Sequence, residues 1–383
     1  MSDSGGGAVA YALRERVWPR RGAASAALAP AAALFRVGWW VRRAVYATGV
    51  RRAERVAAPV VGIGNLTVGG TGKTPAALWL ATRLRDLGFA PAIVTRGYGG
   101  ALGGRVLRAS ASGRATTPDE GGIEEVGDEA VLLAARFPGP VVCGVDRVAA
   151  ARSAIADHGA DVVVLDDGFQ HWRLARDLDV VLVDGRHGFG NGALLPAGPL
   201  REPLAALRRA GAVVSTKRAS ADVRDVLARR VPAGVPVLAG DLVPRCLVGV
   251  DDGSLVERPL ADLMGRRVVT VSGLARPESF YELLGQLEVR PVEVLEFPDH
   301  HRYVAADWQR INHAAHAAEV VVCTEKDLVK LRRFPFARGS LTALRVDFAL
   351  APADEATLLA LVRERVAARR AALSAAPATP TAA

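Results

Sequence analysis

Apolar, β-branched runs recur along the first two thirds of the chain, with alanine- and leucine-rich stretches of helical spacing between them. Such runs are typical of strands buried on both faces, and their alternation with helices predicts a mainly parallel sheet covered by helices. The predicted strands span residues 59–63, 92–95, 141–143, 161–165, 179–183 and 212–216. The predicted helices between them include residues 75–87, 128–137 and 147–158.

A second series of strands and helices begins after the segment 236–244, which a proline flanks at each end. It predicts strands at 267–272, 291–297 and 319–324, and helices near 277–287 and 305–317. We therefore expect four parts: an N-terminal helical segment (1–50), a larger α/β core (51–237), a smaller α/β domain with a C-terminal helix (238–370) and a disordered tail (371–383). The stretch 97–122, rich in Gly, Ser and Thr, is predicted to be a long mobile loop.

The positive charge of the chain is concentrated at its N-terminus. The formal net charge is +9 over 383 residues, and residues 1–56 hold ten arginines and three acids, a balance of 10 − 3 = +7 that leaves +2 for the rest. Trp39, Trp40 and Tyr46 stand among these arginines. Aromatic side chains beside arginines are typical of a helix that lies in a membrane interface, so an anionic membrane surface is the expected partner.

Other interpretations of the basic segment remain open. Pro30 and Arg36 interrupt its apolar run and disfavour a helix that spans the bilayer. A secretory signal peptide and an ordinary helix packed on the protein body are the two alternatives. Nucleic acid is excluded as a partner because the basic residues stand beside tryptophans and no known nucleic-acid-binding module is present. No obligate protein partner is evident.

The numbers and positions of cysteine and lysine indicate the cellular compartment and mark candidate site residues. Cys143, Cys246 and Cys323 stand far apart, so the sequence predicts neither a disulfide framework nor a thiolate zinc site, which fits a reducing cytoplasmic compartment. Of 49 basic residues only four are lysines, namely Lys73, Lys217, Lys326 and Lys330. A lysine kept in such a composition marks a position where a compact ammonium suits the role better than a guanidinium.

The segment 60–74, VVGIGNLTVGGTGKT, has the order of a phosphate-binding loop: a buried strand, a glycine-rich turn and Lys-Thr opening a helix. Lys73 would reach the outer phosphates, and the Thr74 hydroxyl would bind Mg²⁺. Thr67 departs from the strict pattern, which has glycine there. The residues predicted to contact nucleotide are Asn65, Thr67, Val68, Gly69, Gly70, Thr71, Gly72, Lys73 and Thr74. The guanine-reading N-K-x-D motif is absent, so ATP is favoured over GTP.

Two adjacent carboxylates follow the predicted strand 161–165. Asp166 and Asp167 stand where a Walker B acid binds magnesium in parallel sheets that carry a phosphate-binding loop. The alternative is that Asp-Asp-Gly merely forms a turn, but the buried strand before it favours the metal-binding interpretation. Asp166 is the predicted second metal ligand beside Thr74.

Seven motifs in this order resemble the tetraacyldisaccharide 4′-kinase family: GNLTVGGTGKTP, TRGYGG, VGDEA, DDGFQHWRL, GPLREP, FPDHHRY and TEKD. The resemblance implies transfer of the ATP γ-phosphate to the 4′-hydroxyl of an acylated glucosamine disaccharide 1-phosphate in lipid A biosynthesis, at the cytoplasmic face of the bacterial inner membrane. It also implies an α/β fold with a P-loop kinase-type core, a smaller second α/β domain and an N-terminal membrane-contacting helix.

The resemblance further assigns roles to residues of this chain. It implies that Lys73 and Thr74 act on the phosphates and Mg²⁺, that Asp166 and Asp167 act at the metal and its surroundings, and that Asp128 in VGDEA is the base facing the sugar hydroxyl. His300 in FPDHHRY would support Asp128 from the second domain. The residues expected around the substrate and this centre are Arg147, Gln170, His171, Arg201 and Glu129.

A rival function from another class uses the same loop. A membrane-tethered P-loop ATPase or GTPase acting as a switch or motor would hydrolyse nucleotide without any acceptor.

Overall fold

The computed structural model describes residues 13, 17–112, 114, 117–251, 254–337 and 339–375. Within these residues the strands are β1 Val60–Asn65, β2 Pro91–Thr95, β3 Leu107–Ala109, β4 Glu120–Gly121, β5 Val141–Cys143, β6 Val162–Leu165, β7 Leu178–Asp184, β8 Ala212–Thr216, β9 Val237–Asp251, β10 Ser254–Arg258, β11 Val268–Ser272, β12 Pro291–Glu296, β13 Val320–Thr324 and β14 Leu341–Leu350. The helices are Ala23–Ala27, Ala29–Ala47, Lys73–Asp86, Ile123–Val126, Asp128–Arg136, Arg147–Ala156, Ala221–Arg230, Glu278–Gln286, Ala305–Ala315, Glu325–Leu331 and Pro352–Ala375. Short 3₁₀ turns span Leu204–Arg209 and Leu260–Leu263.

The described strands form one continuous sheet in the order β12-β11-β13-β14-β9-β8-β7-β1-β6-β2-β5-β3-β4, with β10 paired to β9. In the first half β1 lies between β6 and β7, and all three are parallel. Every residue of β1 is buried, as expected for a strand whose two faces are both covered by helices. The predicted mainly parallel α/β sheet is therefore confirmed.

The long strand β9 joins the two halves of the sheet. It starts at Val237, pairs in parallel with β8 through its first residues, and then pairs antiparallel with β14. The predicted domain boundary at 237/238 thus falls at the start of a strand that belongs to both halves, and a shared sheet restricts how the halves can move. The C-terminal helix Pro352–Ala375, predicted as part of the second domain, packs Leu358, Val362 and Val366 into the core of the first half.

A sequence prediction about one irregular segment was wrong. The stretch 97–122, predicted as a loop, contains β3 and β4, and β3 pairs antiparallel with β5 at the edge of the sheet. Leu107 and Ala109 are buried while Arg108 between them is exposed, which is the two-residue alternation of a half-buried strand. The tail, predicted to be disordered from 371, begins in helix through Ala375, and its residues 376–383 lie outside the described residues.

The N-terminal helix Ala29–Ala47 has two apolar faces. Trp39 and Tyr46 contact Trp172, with ring centroids 6.3 and 5.7 Å apart. On the opposite side Leu34 and Val41 are 75% and 58% exposed. Among the residues that the structure describes, no helix combines the length and apolar character that crossing a membrane requires.

Candidate active site

A cleft of about 800 Å³ opens where the carboxyl ends of the first-half strands face the second half. Parallel sheets bind ligands at this edge because the loops that follow the strands meet there. Of the residues predicted from the sequence, the cleft is lined by Val68, Gly69, Gly70, Thr71, Gly72, Lys73, Thr74, Glu129, Arg147, Asp166, Asp167, Gln170, His171, Arg201 and His300. Asn65, Thr67 and Asp128 lie behind its wall.

The phosphate-binding loop is fixed from behind by polar contacts. The Asn65 amide donates to the Thr71 hydroxyl at 3.0 Å, and the Gln170 amide donates to the Asn65 carbonyl at 2.7 Å. Gly72 has a φ of 79°, a conformation that favours glycine, whereas Thr67 has no positive φ and pairs with the backbone of Leu200. Thr67 therefore supports the loop from the sheet side, which explains why a glycine is not required there.

Asp166 and Asp167 lie in different surroundings. Asp166 is 2% exposed, one of its carboxylate oxygens lies 3.5 Å from the Thr74 hydroxyl, and the other has no partner among the described residues. Burial, with the nearby charges of Glu129 and Asp167, raises the pKa of Asp166 to about 7. Such a carboxylate gains from a bound cation, and the oxygen atoms of Thr74 and Asp166 are ligands that suit a magnesium ion.

Asp167 is instead held by two cations. Its carboxylate lies 3.6 Å from the Lys73 ammonium and accepts two hydrogen bonds from Arg201, at 2.9 and 3.1 Å. Although burial raises the pKa of Asp167, the charges of Lys73 and Arg201 outweigh it and lower that pKa. Asp167 thus orients the cations of the cleft, and Asp166 is the better placed of the two to bind metal.

The Asp128–His300 pair joins the two halves of the sheet. One Asp128 oxygen lies 3.1 Å from His300 Nδ1, and the other accepts a hydrogen bond from Lys330 at 3.0 Å. Burial raises the pKa of Asp128, but the hydrogen bond from His300 and the charges of Lys330 and Lys326 outweigh it and hold the pKa well below its usual value. Asp128 is 5% exposed, so His300 is the member of the pair that faces the cleft.

His300 is held in an unusual conformation. Its φ of 58° is left-handed, which is costly for a histidine and is typical of functional sites. Its ring packs against the Tyr98 ring in a tilted arrangement, with the ring centroids 4.8 Å apart. Burial lowers the pKa of His300, but the hydrogen bond and charge of Asp128 prevail and raise it above the usual 6.5.

The outer predicted residues surround the same cleft. The Arg147 guanidinium donates to the Val145 carbonyl at 3.0 Å, and burial together with the charge of Arg96 lowers its pKa to about 10. Burial, with the neighbouring charge of Arg147, lowers the pKa of His171 to about 4, which keeps its ring neutral. The cleft therefore combines fixed positive groups with a neutral imidazole, a setting suited to anionic ligands.

A model of the family described as Tetraacyldisaccharide-1-P 4′-kinase matches residues 24–367. The chain belongs to this family. It is 45% identical to the tetraacyldisaccharide 4′-kinase of Anaeromyxobacter dehalogenans strain 2CP-1 over 345 residues, which cover 87% of this chain and 89% of that protein. It is 41% identical to the enzyme of that name from Syntrophus aciditrophicus, over 78% of this chain and 82% of that protein.

A solved structure agrees with this assignment. The crystal structure described as the "apo" form of LpxK from Aquifex aeolicus in complex with ATP matches with a TM-score of 0.70 and 30% sequence identity. The match covers 89% of this chain and 99% of that chain. The kinase family and the fold class that the motifs predicted are therefore confirmed.

The structure adds to the site Lys217, Lys326 and Lys330, to which the sequence analysis gave no role. Three of the four lysines, Lys73, Lys217 and Lys326, line the cleft, and the fourth, Lys330, binds Asp128 behind it. Lys326 pairs with Glu129. The scarcity of lysine was the signal that marked these positions, although it could not give their partners. Arg276 and Asp184 also line the cleft, and no motif indicated them.

Lys330 offers a stability test. Its buried ammonium lies 3.0 Å from Asp128 and 3.5 Å from Asp327, which is itself fully buried. Removing one partner of a buried ion pair typically costs about 3–5 kcal/mol, because the other charge stays buried without compensation. We expect Lys330→Met to lower the free energy of unfolding in urea by roughly 3 kcal/mol. The control is the exposed Arg266→Met in the same half; equal stability of the two variants would contradict this account.

Proposed function

We propose that this protein transfers the γ-phosphate of ATP to the 4′-hydroxyl of tetraacyldisaccharide 1-phosphate, with Mg²⁺ and at the cytoplasmic face of the inner membrane. The observation that carries the proposal is one cleft in which the phosphate-binding loop and Asp166 face His300, which the second half supplies. Membership of the kinase family supports the acceptor, and the phosphate-binding loop supports the donor.

The residues of the first half hold the donor. The backbone N–H groups of the glycine-rich loop bind phosphate oxygens, and Lys73 compensates the charge of the outer phosphates. Asp167 and Arg201 fix the position of Lys73 through the ion pairs of 3.6 and 2.9 Å. Thr74 and Asp166 would hold Mg²⁺, and the bound ion would supply positive charge that offsets the charge of the phosphates.

The Asp128–His300 pair accepts the proton of the sugar hydroxyl. An alcohol loses its proton late in a loose phosphoryl-transfer transition state, so a modest base in the right place suffices. The His300 imidazole faces the cleft and can take the proton, while the buried Asp128 carboxylate holds the ring and stabilises the cation that forms. The family resemblance implies that Asp128 is the base. We propose instead that His300 takes the proton and that Asp128 acts by supporting His300.

This arrangement predicts how the rate depends on pH. Below the pKa of His300, which lies above 6.5, the imidazole already carries its proton and cannot accept another. We expect kcat to rise with pH through that pKa and then to level. In Asp128→Asn the carboxylate that raises the pKa is lost, so the residual activity should rise at a lower pH. The control His301→Gln, at a histidine paired with Asp307, should keep the wild-type profile; an unchanged profile in Asp128→Asn would contradict the pairing.

The helix Ala29–Ala47 is the proposed contact with the membrane. Leu34, Val37 and Val41 recur at helical spacing on its exposed side. The opposite side is fixed to the body, where the Arg42 guanidinium donates to the Gln170 carbonyl at 3.1 Å and lines the cleft. A lipid substrate whose acyl chains stay in the bilayer could thus present its sugars to the cleft beside this helix.

Val37→Asp tests this surface. Val37 is 57% exposed, so the substitution should leave the fold unchanged while it places a charge against acyl chains and anionic headgroups. We expect binding to phosphatidylglycerol-containing vesicles, measured by co-sedimentation, to weaken about tenfold, since burying a valine contributes on the order of 1.5 kcal/mol. The matched control is Val292→Asp on β12, where the valine is 53% exposed. Equal binding by both variants would rule out this helix as the membrane contact.

ADP formation with and without the acceptor separates the kinase from the rival ATPase. The kinase should form ADP quickly only when tetraacyldisaccharide 1-phosphate is present in detergent micelles with ATP and Mg²⁺. An equal rate of ADP formation without the lipid would instead support a switch or motor ATPase.

A further inference from the structure

Arg276 reaches from the second half of the sheet to the phosphate-binding loop. It lies in the segment between β11 and the helix Glu278–Gln286, and its guanidinium packs over Gly69. A Cβ placed on Gly69 would lie 3.4 Å from Nε, 3.6 Å from Cζ and 3.8 Å from Nη2 of Arg276. This arginine of the second half therefore touches the turn that would enclose the phosphates.

The Arg276 guanidinium over Gly69 lines the same cleft as Lys73. Gly69 stands four residues before Lys73, and both line the same cleft because the loop curls back on itself. Lys73 is predicted to reach the outer phosphates, so phosphates bound by this loop would also lie near the Arg276 guanidinium. Glycine at this position leaves the room that the guanidinium occupies, and a side chain there would press on Arg276.

The segment that carries Arg276 is held at both ends. The Gly273 backbone N–H donates to the fully buried Asp327 at 3.0 Å. On the other side the Lys217 ammonium of the first half donates to the Ser279 hydroxyl at 3.0 Å and lies 3.4 Å from Glu282. These contacts fix the backbone around Arg276 beside the cleft, so its long side chain extends from a rigid segment.

Arg276 is only weakly bound to Asp184 in this structure. Its Nη1 lies 3.5 Å from Asp184, at the limit for a hydrogen bond. Asp184 also accepts the backbone N–H groups of Arg186 and His187, at 3.0 and 2.9 Å, so it keeps partners when Arg276 leaves. Arg201, by contrast, makes two hydrogen bonds to Asp167. Arg276 is thus the more readily released of these two arginines of the cleft.

We propose that Arg276 is a catalytic residue that acts as an arginine finger within the same chain. In the reaction the bond from the γ-phosphorus to the β,γ-bridging oxygen breaks as the bond to the 4′-oxygen forms, ADP leaves, and the hydroxyl proton passes to the Asp128–His300 pair. Negative charge grows on the bridging oxygen, and the guanidinium donates to that oxygen and to the γ-phosphoryl oxygens. The inference rests on the proposed kinase function and adds that the second half supplies this cation.

Kinetics of Arg276→Ala and Arg276→Lys test this role. An arginine finger contributes about 10³-fold or more to kcat, so we expect Arg276→Ala to lose on the order of 10³-fold in lipid-dependent turnover. Binding of a non-hydrolysable ATP analogue should change by less than about threefold, because the contact forms mainly in the transition state. Lysine lacks the planar fork, so Arg276→Lys should remain strongly impaired. Added guanidinium ion should partly restore the turnover of Arg276→Ala and not that of Arg276→Lys.

Trapping of a transition-state analogue gives a second readout. The wild type with ADP, Mg²⁺, aluminium fluoride and the lipid acceptor should form a tight complex that Arg276→Ala does not form. The control Arg266→Ala removes an exposed arginine before β11 in the same half and should behave as the wild type. The arginine-finger role would be wrong if Arg276→Ala turned over within about threefold of wild type. It would also be wrong if the variant lost ATP-analogue binding and kcat equally. A wild type that transfers no phosphate to the lipid would instead overturn the proposed function itself.

Discussion

Lys73→Ala is expected to abolish measurable phosphate transfer, with a loss of kcat/KM on the order of 10³-fold or more. Lys73 is largely buried in the cleft, with its ammonium 3.6 Å from Asp167. Without it the outer phosphates lose a cation that is fixed before ATP arrives, and no water-solvated group can replace such a preorganised charge. The fold should survive, because Asp167 keeps both hydrogen bonds from Arg201.

The loss in Lys73→Ala is measured by lipid-dependent ADP formation, with thermal unfolding to verify the fold. The control is Arg85→Ala, which removes an exposed cation from the last turn of the same helix, Lys73–Asp86. The control should keep the wild-type rate. A Lys73→Ala protein that turns over within tenfold of the control would show that the phosphate-binding loop is not the donor site.

Asp128→Asn is expected to lower kcat by about 10²- to 10⁴-fold, the usual contribution of general-base catalysis, because His300 acts as the base only together with Asp128. Asparagine has nearly the same shape but no charge, so it cannot stabilise the imidazolium that forms when His300 takes the proton. The NH2 group of asparagine, a donor, must also face Lys330 or His300. Both of these residues donate hydrogen bonds to Asp128 in this structure, so one of the two bonds is lost. Affinity for an ATP analogue should stay near that of the wild type, because Asp128 lies behind the cleft wall.

The control for Asp128→Asn is Asp157→Asn, an exposed aspartate that follows the helix Arg147–Ala156. It makes the same chemical change at a distance from the pair and should keep full turnover. A wild-type kcat in Asp128→Asn would remove the Asp128–His300 pair from the mechanism, whatever the ATP affinity of the variant.

Local patterns predicted most of the sheet. The runs at 92–95, 141–143 and 212–216 correspond closely to β2, β5 and β8, because strands with both faces buried need continuous apolar residues. The pairing of distant strands was not predictable in this way. Nothing local indicates that β9 pairs with β8 first and with β14 afterwards, or that the C-terminal helix returns to the core of the first half.

Site residues were predictable where they directly follow a strand. The phosphate-binding loop follows β1 and the aspartate pair follows β6, so both meet at one edge of a parallel sheet. Asp128 and His300 are 172 residues apart, and only the family resemblance suggested that they meet. Arg276 carried no signal among 45 arginines, since its role depends on how the second half lies against the loop.

The position of the transferred phosphate decides whether the 4′-hydroxyl is the acceptor. The measurement is two-dimensional phosphorus–proton NMR of the lipid product, made from tetraacyldisaccharide 1-phosphate, ATP and Mg²⁺, with Lys73→Ala as the blank. Transfer to the 4′-hydroxyl should give a new phosphomonoester coupled to the proton on C4′, beside the original 1-phosphate, and no such product in the blank. Recovery of unchanged lipid with inorganic phosphate, or a phosphate at another hydroxyl, would contradict transfer to the 4′-hydroxyl.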